Sequence, residues 1–216
     1  MRHARASISQ VDRRRSRTVR RLLTAFALGA ALGTGLDAIH VYGDVEAYRN
    51  EVFGRLGWFV PIEFGLAGVA SALAMPLLER VAGGRAPRDW PLWERVREVP
   101  LLIGLYVTSV GANGPNAKLF AAGLLVLVAA RLAFTSVRGD WVFALVAGIA
   151  GPAVEAAIHA TGAFHYTEPD FLGIPVWLPA LWANGGLAIR RIFGPLALAG
   201  SVVPEADEPA QRAHVG

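Results

Sequence analysis

Hydrophobic and polar positions along this 216-residue chain are segregated into long blocks, with neither the two-residue alternation of a strand nor the one-sided stripe of a surface helix. A helix rises 1.5 Å per residue and needs about 20 apolar residues to cross a hydrocarbon core about 30 Å thick. Six runs approach that length. The pattern predicts six transmembrane helices, at residues 22–39, 56–78, 99–113, 117–134, 141–163 and 172–189.

A soluble helical fold does not fit these runs. Six near-continuous apolar helices packed in water would leave almost no polar face for the solvent. The composition agrees, since 54% of the residues are hydrophobic and the mean hydropathy is +0.41. We therefore predict an all-α membrane protein, a bundle of six transmembrane helices.

Basic residues predict how the bundle is oriented, because cytoplasmic loops carry an excess of Lys and Arg. With six spans, 18 of the 21 basic residues fall on one side, eight of them in the first 21 residues. The opposite side holds only Arg49, Arg55 and Lys118. Both termini are therefore predicted to be cytoplasmic.

The chain divides into three predicted parts. Residues 1–21 form an Arg-rich cytoplasmic tail, residues 22–197 the transmembrane domain, and residues 198–216 an acidic, proline-containing tail predicted to be disordered. The N-terminal arginines resemble a signal-peptide n-region. The run that follows is too long for an h-region and lacks an A-x-A cleavage site, so we interpret it as a retained span.

Composition also limits the function. The absence of cysteine excludes disulfides, thiolate metal sites and a cysteine nucleophile. The clustering of basic residues between apolar runs argues against a nucleic-acid surface. A single lysine, Lys118, among many arginines in an Ala- and Gly-rich chain is typical of a GC-rich bacterial genome, which predicts the bacterial cytoplasmic membrane as the location.

Several ionisable or amide side chains lie within the predicted spans. Each costs about 2.5–3.5 kcal/mol at the bilayer centre if charged, so each should face protein or a wet cavity. Counted along their helices, the carboxyl groups of Asp37, Glu63 and Glu155 all fall in the outer half of the membrane. This placement predicts a polar pocket that opens outward between helices bent by proline.

We predict that a membrane lipid occupies this central cavity, with acyl chains on apolar walls and a hydroxyl or ester head at the polar side chains. The predicted lipid-binding residues are Trp58, Glu63, Asn113, Glu155, His159 and Trp177. Interhelical hydrogen bonds and, for the tryptophans, anchoring at the interface are the structural alternatives. No catalytic residue, metal or cofactor is predicted.

Two other interpretations remain open. Asp37 and His40 (i,i+3) with Glu155 and His159 (i,i+4) contain the ligand types of an intramembrane metal site, which would make the chain a lipid hydroxylase or hydratase. No P-loop, G-x-S-x-G, H-E-x-x-H or dinucleotide motif accompanies them. The Gly29-Ala-Ala-Leu-Gly33 step allows close helix packing and could alternatively form the contact of a homo-oligomer.

The C-terminal part resembles a known family. The segment Gly162-Ala-Phe-His-Tyr-Thr-Glu-Pro-Asp-Phe-Leu172, followed by Trp177-Leu-Pro179 and Gly185-Gly186, is similar to the C-terminal signature of the Insig proteins. Weaker similarities lie at Trp58 and Pro61, and at Asn113 with Ala117-Lys118-Leu119. Together they cover about 150 residues, thinly outside the C-terminal part.

The resemblance implies a six-span membrane protein that binds a lipid, because Insigs are regarded as oxysterol sensors that retain sterol-regulatory partners in the endoplasmic reticulum. Two positions depart from the family: Thr135 follows Phe134, and Phe120 follows Lys118-Leu119, where the family has acidic residues. The fold and the lipid cavity are therefore the expectations that carry over, with a sterol-like molecule or a glycerolipid such as diacylglycerol as the ligand. Partner retention does not carry over.

Overall fold

A computed structural model describes residues 2–84, 89–135 and 137–198, with side chains described from residue 13 onward except at Phe53. Six long helices and one short helix make up most of it. They are α1 (Arg2–Tyr42), α2 (Val60–Val81), α3 (Leu92–Val96), α4 (Glu98–Ala112), α5 (Ala117–Phe134), α6 (Asp140–Ala160) and α7 (Leu178–Phe193), with a 3-10 turn at Gly194–Leu196. The predicted all-α bundle of six membrane helices is confirmed.

Four short strands lie in the connections between helices. They are β1 (Glu46–Tyr48), β2 (Glu51–Phe53), β3 (Leu56–Gly57) and β4 (Phe164–Tyr166). β1 pairs antiparallel with β4, which ties the α1–α2 connection to the α6–α7 connection. β2 pairs antiparallel with β3 in a small hairpin.

The six long helices cross the bundle in alternating directions. All four strands therefore lie at one end of the bundle, which we call the strand end. The N-terminal side of α1 and the C-terminal end of α7 lie at the opposite end, which we call the charged end. Arg21 of α1 donates to the Ala197 carbonyl at 3.0 Å there, so this part of α1 lies beside the end of the last described segment. The predicted tail at residues 2–21 continues α1 as helix, and nearly all of the predicted C-terminal tail lies outside the described residues.

Membrane-facing surfaces fit the predicted class. Four segments are long and apolar enough to span a bilayer: Arg13–Tyr42, Val60–Val81, Ala117–Phe134 and Asp140–Ala160. α4 and α7 have 15 and 16 residues and are shorter than the usual span. Large apolar side chains point outward on the long helices, including Leu73, Leu125 and Ile149.

The second and sixth spans begin later than predicted. The second was placed from Leu56, but Leu56 and Gly57 pair with β2 and the helix starts at Val60. Pro61 then occupies the first turn, where a missing N–H costs nothing. Apolar composition extended the prediction into residues that the backbone uses for a hairpin.

The sixth span was predicted to begin at Leu172, and this start is wrong. Phe171 and Ile174 close a tight turn whose central residues, Leu172 and Gly173, both have positive φ (54° and 75°). The helix begins only at Leu178. Asp170 accepts the Val176 N–H at 2.8 Å and stabilises the loop.

The Gly29–Gly33 step packs α1 against α2 of the same chain. A Cβ on Gly29 would lie 2.4 Å from the Phe64 carbonyl oxygen, and one on Gly33 would lie 2.2 Å from the Phe64 ring. Gly68 on α2 faces back toward the Ala25 carbonyl in the same way. This glycine face is occupied within the chain, so it is not available as the homo-oligomer contact that we considered.

A buried ion cluster fills the charged end. Arg190 contacts Glu79 at 2.7 Å and Asp140 at 2.6 Å, and Arg191 contacts Asp140 at 3.0 Å and Glu98 at 3.4 Å. Arg131 pairs with Glu98 at 2.5 Å. Three carboxylates and three guanidiniums from α2, α4, α5, α6 and α7 thus compensate one another.

This cluster corrects the interpretation of some basic residues. Arg131, Arg190 and Arg191 are among the 18 basic residues predicted on the cytoplasmic side, and they lie on α5 and α7, where they are buried. Counting charge by position could not show that each has an acidic partner on another helix. The cluster ties the helices together where the short spans end.

Candidate functional site

An elongated cleft lies between α2 and α6. α2 packs along α1 and α6 packs along α7, whereas α2 and α6 touch little, so a gap stays open between the two pairs. The gap forms a cavity of about 470 Å³, within the usual range of small-molecule sites. Its α2 wall runs from Glu63 to Leu78, which at 1.5 Å per residue is about 22 Å.

Small and apolar side chains form most of the cleft walls. They recur three or four residues apart on each helix, so each wall is one helix face. The α2 wall includes Ala67, Ala70, Ala74 and Leu78, and the α6 wall includes Phe143, Val146, Ala147, Ala150 and Val154. A surface of this kind suits hydrocarbon.

The strand end of the cleft is polar and acidic. Four carboxyl groups line it, those of Asp37, Glu46, Glu63 and Glu155. Each comes from a different element, α1, β1, α2 and α6 respectively. The pairing of β1 with β4 sets Glu46 opposite Tyr166 and so closes this end of the cleft.

Asp37 and Glu46 form a carboxyl pair. Their side chains are hydrogen-bonded to each other, which requires that they share a proton, and Asp37 also accepts the Tyr48 hydroxyl at 2.9 Å. Glu46 is only 2% exposed, and its Oε1 has no hydrogen-bond partner. One buried acceptor therefore remains unused at the head of the cleft.

Burial and neighbouring acids change the protonation of the strand residues. Burial, and then the charge of Asp37, raise the pKa of Glu46 well above its ordinary value. The pKa of Tyr48 and that of Tyr166 are likewise raised by burial and by the adjacent carboxylates. Glu46 therefore keeps its proton to a higher pH than an exposed glutamate does, and both phenols remain donors.

Each carboxylate oxygen of Glu155 accepts a hydrogen bond. Trp182 on α7 donates its indole N–H to Oε1 at 2.5 Å, and the Tyr166 hydroxyl donates to Oε2. These two hydrogen bonds link Glu155 of α6 to α7 and to β4. Glu63 is half-buried, and its side chain has no hydrogen bond or ion pair to any other residue that the structure describes.

The predicted site residues divide between the cleft and its surroundings. Glu63 and Glu155 line the cleft. Trp58 is 55% exposed beside Phe59, and Asn113 bonds Thr167 at 2.9 Å in the loops of the strand end. Neither lies on the cleft wall.

The remaining two predicted residues lie behind the wall. Trp177 is completely buried among aromatic rings, with His40 at 5.5 Å and Phe120 at 6.0 Å between centroids. His159 packs edge-on against Phe164 and over the tight turn at Gly173. Both support the polar end without touching the cavity.

Sequence reasoning missed several polar residues of the cleft, among them Glu46, Tyr48 and Tyr166. These three lie between the predicted spans, where three-residue strands are too short to give a periodic signal. A weak signal was present, since buried Phe164 and Tyr166 alternate with exposed His165, as in a half-buried strand. Trp182 was missed because its role depends on α7 starting at Leu178.

The metal-site alternative finds no support in the geometry. His40 is bonded to Ser109 at 2.7 Å, Asp37 to Tyr48 and Glu46, and Glu155 to Tyr166 and Trp182, while His159 lies apart. Within the described ranges no three His, Asp or Glu side chains are grouped so that they could hold a metal ion.

Comparison with known proteins links this architecture to characterised relatives. The chain is 29% identical to the insulin-induced gene 1 protein of Xenopus tropicalis over 203 residues, which cover 88% of this chain and 77% of the relative. It is 28% identical to the human protein of the same name, over 88% of this chain and 70% of the relative. Residues 102–196 also match DUF2878, a family described as a protein of unknown function.

Solved structures show the same fold. The crystal structure of MvINS, the Insig homolog of Mycobacterium vanbaalenii, superposes with a TM-score of 0.67 at 23% identity, covering 86% of this chain and 98% of MvINS. A cross-linked MvINS trimer superposes with a TM-score of 0.69 over the same shares of the two chains. The resemblance in the C-terminal segment thus extends through most of the chain, and this membrane protein is similar to the Insig proteins in sequence and in fold.

Proposed function

We propose that this protein is a non-enzymatic membrane sensor that holds one amphiphilic lipid, a sterol-like molecule or a glycerolipid, in the cleft between α2 and α6. The observation that carries the proposal is the cleft itself, which joins a long apolar channel to a small polar end. An amphiphile has the same division into a hydrocarbon part and a head. Similarity to Insig proteins supports a sensing role without catalysis.

The cleft walls explain how a lipid would be held. About 22 Å of wall on α2 can cover an extended chain of roughly 16 to 18 carbons. Burial of each methylene group stabilises the complex by about 0.8 kcal/mol relative to water. Since the competing environment is the bilayer, apolar contact alone would give little selectivity, and the polar end must select the ligand.

Native mass spectrometry of protein released from mild detergent tests the proposal. The wild type is expected to retain one lipid per chain, which extraction and lipid mass spectrometry then identify. Ala74→Phe places a ring in the cleft and should lower lipid occupancy at least fivefold. The matched control is Ala122→Phe, at an exposed position on α5 away from the cleft, which should keep wild-type occupancy. Equal occupancy in both variants would reject the cleft as the site.

We further propose that the charged end faces the bacterial cytoplasm, as the distribution of basic residues indicates. The absence of cysteine makes the test direct, because single cysteines can be introduced without background. Arg13→Cys should react with a membrane-impermeant maleimide only after cell lysis, whereas Glu168→Cys should react in intact spheroplasts. The reverse labelling pattern would show that the charged end faces away from the cytoplasm and would contradict the proposed orientation.

The chain is also proposed to form a homo-oligomer, supported by the MvINS trimer. The contact would lie on a surface other than Gly29–Gly33, which α2 covers. Native mass spectrometry of the same preparation reports the oligomer directly, and a monomer at micromolar concentration in several mild detergents would oppose this part of the proposal.

A further inference from the structure

The part of α1 just outside the first span carries a dense cluster of positive charge. Residues 13–21 are all exposed and include six arginines: Arg13, Arg14, Arg15, Arg17, Arg20 and Arg21. None of them forms an ion pair with an acidic residue that the structure describes. Arg17 lies four residues from both Arg13 and Arg21, and like charges at this spacing destabilise a helix. An anionic partner would relieve this repulsion.

The cluster lies at the level of the lipid head groups. α1 is 41 residues long, about 62 Å at 1.5 Å per residue, which is roughly twice the thickness of a hydrocarbon core. Arg21 contacts the Ala197 carbonyl at the charged end, and the apolar run begins at Leu22, so the hydrocarbon boundary falls near these residues. Arg13 lies about 12 Å farther along the helix, and a head-group layer is about 5–8 Å thick. The arginines therefore occupy this layer and its aqueous edge.

One face of this segment joins basic and apolar side chains in a shallow groove. Residues four apart lie on the same side of a helix, and two such rows line the groove. They are Arg15, Val19, Leu23 and Ala27 in one row, and Ser16, Arg20 and Thr24 in the other. All of them are exposed, on the side of α1 away from Ala25 and Gly29, which pack against α2. The two guanidiniums lie at the level of the head groups, and Leu23 and Ala27 lie at the level of the acyl chains.

We infer that this face of α1 binds an anionic membrane phospholipid, with the phosphate at Arg15, Ser16 and Arg20 and an acyl chain along Val19, Leu23 and Ala27. A guanidinium binds a phosphate through two parallel hydrogen bonds. Basic clusters directly beside a membrane helix attract anionic lipids. The site lies on the outer face of α1, apart from the cleft between α2 and α6, so the inference does not rest on the proposed function.

The apolar row decides between the possible anionic partners. Nucleic acid matches the charge, but Leu23 is 65% exposed at the level of the acyl chains, where nucleic acid does not reach. A free phosphate ion would contact the arginines and leave the apolar row uncovered. A phospholipid fits both halves of the groove.

Two probes with the same acyl chains test the head-group preference: dioleoylphosphatidylglycerol, which is anionic, and dioleoylphosphatidylcholine, which is zwitterionic. Each is titrated onto the delipidated full chain in a neutral detergent, and bound lipid is counted by native mass spectrometry. The anionic lipid is expected to bind at least about tenfold more tightly. The preference should persist in Ala74→Phe, because the cleft is a separate place in the fold.

Paired variants connect the preference to one face of the helix. The double variant Arg15→Gln, Arg20→Gln removes both arginines of the groove and should lower the affinity for the anionic lipid at least about fivefold. The matched control, Arg14→Gln with Arg17→Gln, removes the same charge from exposed positions outside the groove. It should lower this affinity no more than about twofold, because salt screens charges that do not contact the lipid.

Equal affinities for the two lipids would overturn the inference. An equal loss in both double variants would show a diffuse attraction to the whole cluster and would contradict a site on this face. Loss of the anionic preference in Ala74→Phe would place the bound lipid in the cleft and would also contradict the site on α1.

Two competitors separate the other anionic partners. Displacement of the anionic lipid by millimolar inorganic phosphate would show that the arginines bind a free ion. A short single-stranded RNA that binds more tightly than the anionic lipid, with the same dependence on Arg15 and Arg20, would identify a nucleic-acid surface. Either result would contradict the inference, which predicts that neither competitor displaces the lipid.

Discussion

Asp140 connects two guanidiniums in the buried ion cluster and is therefore the most sensitive point of the charged end. It lies at the start of α6 and is 1% exposed. Its carboxylate oxygens lie 2.6 Å from the Arg190 guanidinium and 3.0 Å from the Arg191 guanidinium. Asp140→Asn keeps the shape and one acceptor oxygen but removes the charge. The cluster then holds three guanidiniums and only two carboxylates, Glu79 and Glu98.

The magnitude follows from this imbalance. Removing one partner of a buried ion pair leaves an uncompensated charge and typically costs about 3–5 kcal/mol. Arg190 retains its two contacts with Glu79, at 2.7 and 2.9 Å, so the loss falls mainly on Arg191, whose other carboxylate contact, with Glu98, is longer at 3.4 Å. We expect the free energy of unfolding to fall by about 3 kcal/mol, the lower part of that range.

Reversible unfolding in mixed detergent micelles, followed by far-UV circular dichroism, measures this change. The matched control is Glu94→Gln, which neutralises an acid in the exposed Arg97 pair at 3.5 Å and should cost no more than about 1 kcal/mol. If Asp140→Asn cost less than about 1 kcal/mol, or no more than the control, the ion cluster would not stabilise the bundle as described.

Three further predictions concern packing and pH. Gly29→Leu should lower the free energy of unfolding by about 1–3 kcal/mol, because its Cβ would overlap the Phe64 carbonyl, whereas Gly35→Leu, with open space around it, should change it by less than about 0.5 kcal/mol; a similar loss in both would contradict the close α1–α2 contact. The melting temperature of the Glu46→Gln variant should increase relative to that of the wild type as the pH rises from 5 to 8. The raised pKa of Glu46 means that the folded state binds its proton more tightly than the unfolded state, so wild-type stability is lost as pH rises above about 4.5, and parallel pH profiles would contradict that shift. Asn184→Ala should lower the free energy of unfolding by about 1–3 kcal/mol in the same micelle assay. The buried amide accepts a hydrogen bond from Arg131 and donates to two backbone carbonyls, and all three bonds would be lost. A change below about 0.5 kcal/mol would show that these bonds do not stabilise the fold.

The fold could be predicted from the sequence where one physical requirement dominated. Hydropathy gave α5 its observed bounds, 117–134, because a membrane helix must be apolar throughout and Asn113-Gly-Pro-Asn116 ends the preceding helix. It failed at Leu56 and Leu172, where apolar residues serve short strands and a tight turn. Hydropathy measures burial in apolar surroundings and does not distinguish a helix from a buried connection.

The site could be predicted only in part. An intramembrane carboxylate must face protein or a cavity, and Glu63 and Glu155, which were selected on that ground, line the cleft. Their role in binding a lipid stays a prediction. Glu46 could not be found in the same way, because it lies between predicted spans and becomes buried only when β1 pairs with β4, over 100 residues away. Long-range strand pairing leaves no local signal.

The ion cluster shows a different limit. Arg131 and Arg190 were treated like any other basic residue of a cytoplasmic loop or tail. The positive-inside rule predicts on which side of the membrane they lie but does not indicate which acidic residues they contact. Their acids come from α2, α4 and α6, and only the packing of five helices brings them together. Charge pattern thus predicts topology better than it predicts contacts.

The most direct test of the central claim is to locate a bound lipid on the protein. A photoactivatable amphiphile with a diazirine in its chain, added to protein in nanodiscs, should label peptides from α2 and α6, at cleft residues such as Ala70, Ala74 and Val146. An excess of unlabelled amphiphile should suppress this labelling. Labelling spread over the outward face of α5, around Leu125 and Val126, and insensitive to competitor, would show that lipid merely surrounds the bundle and would contradict the account.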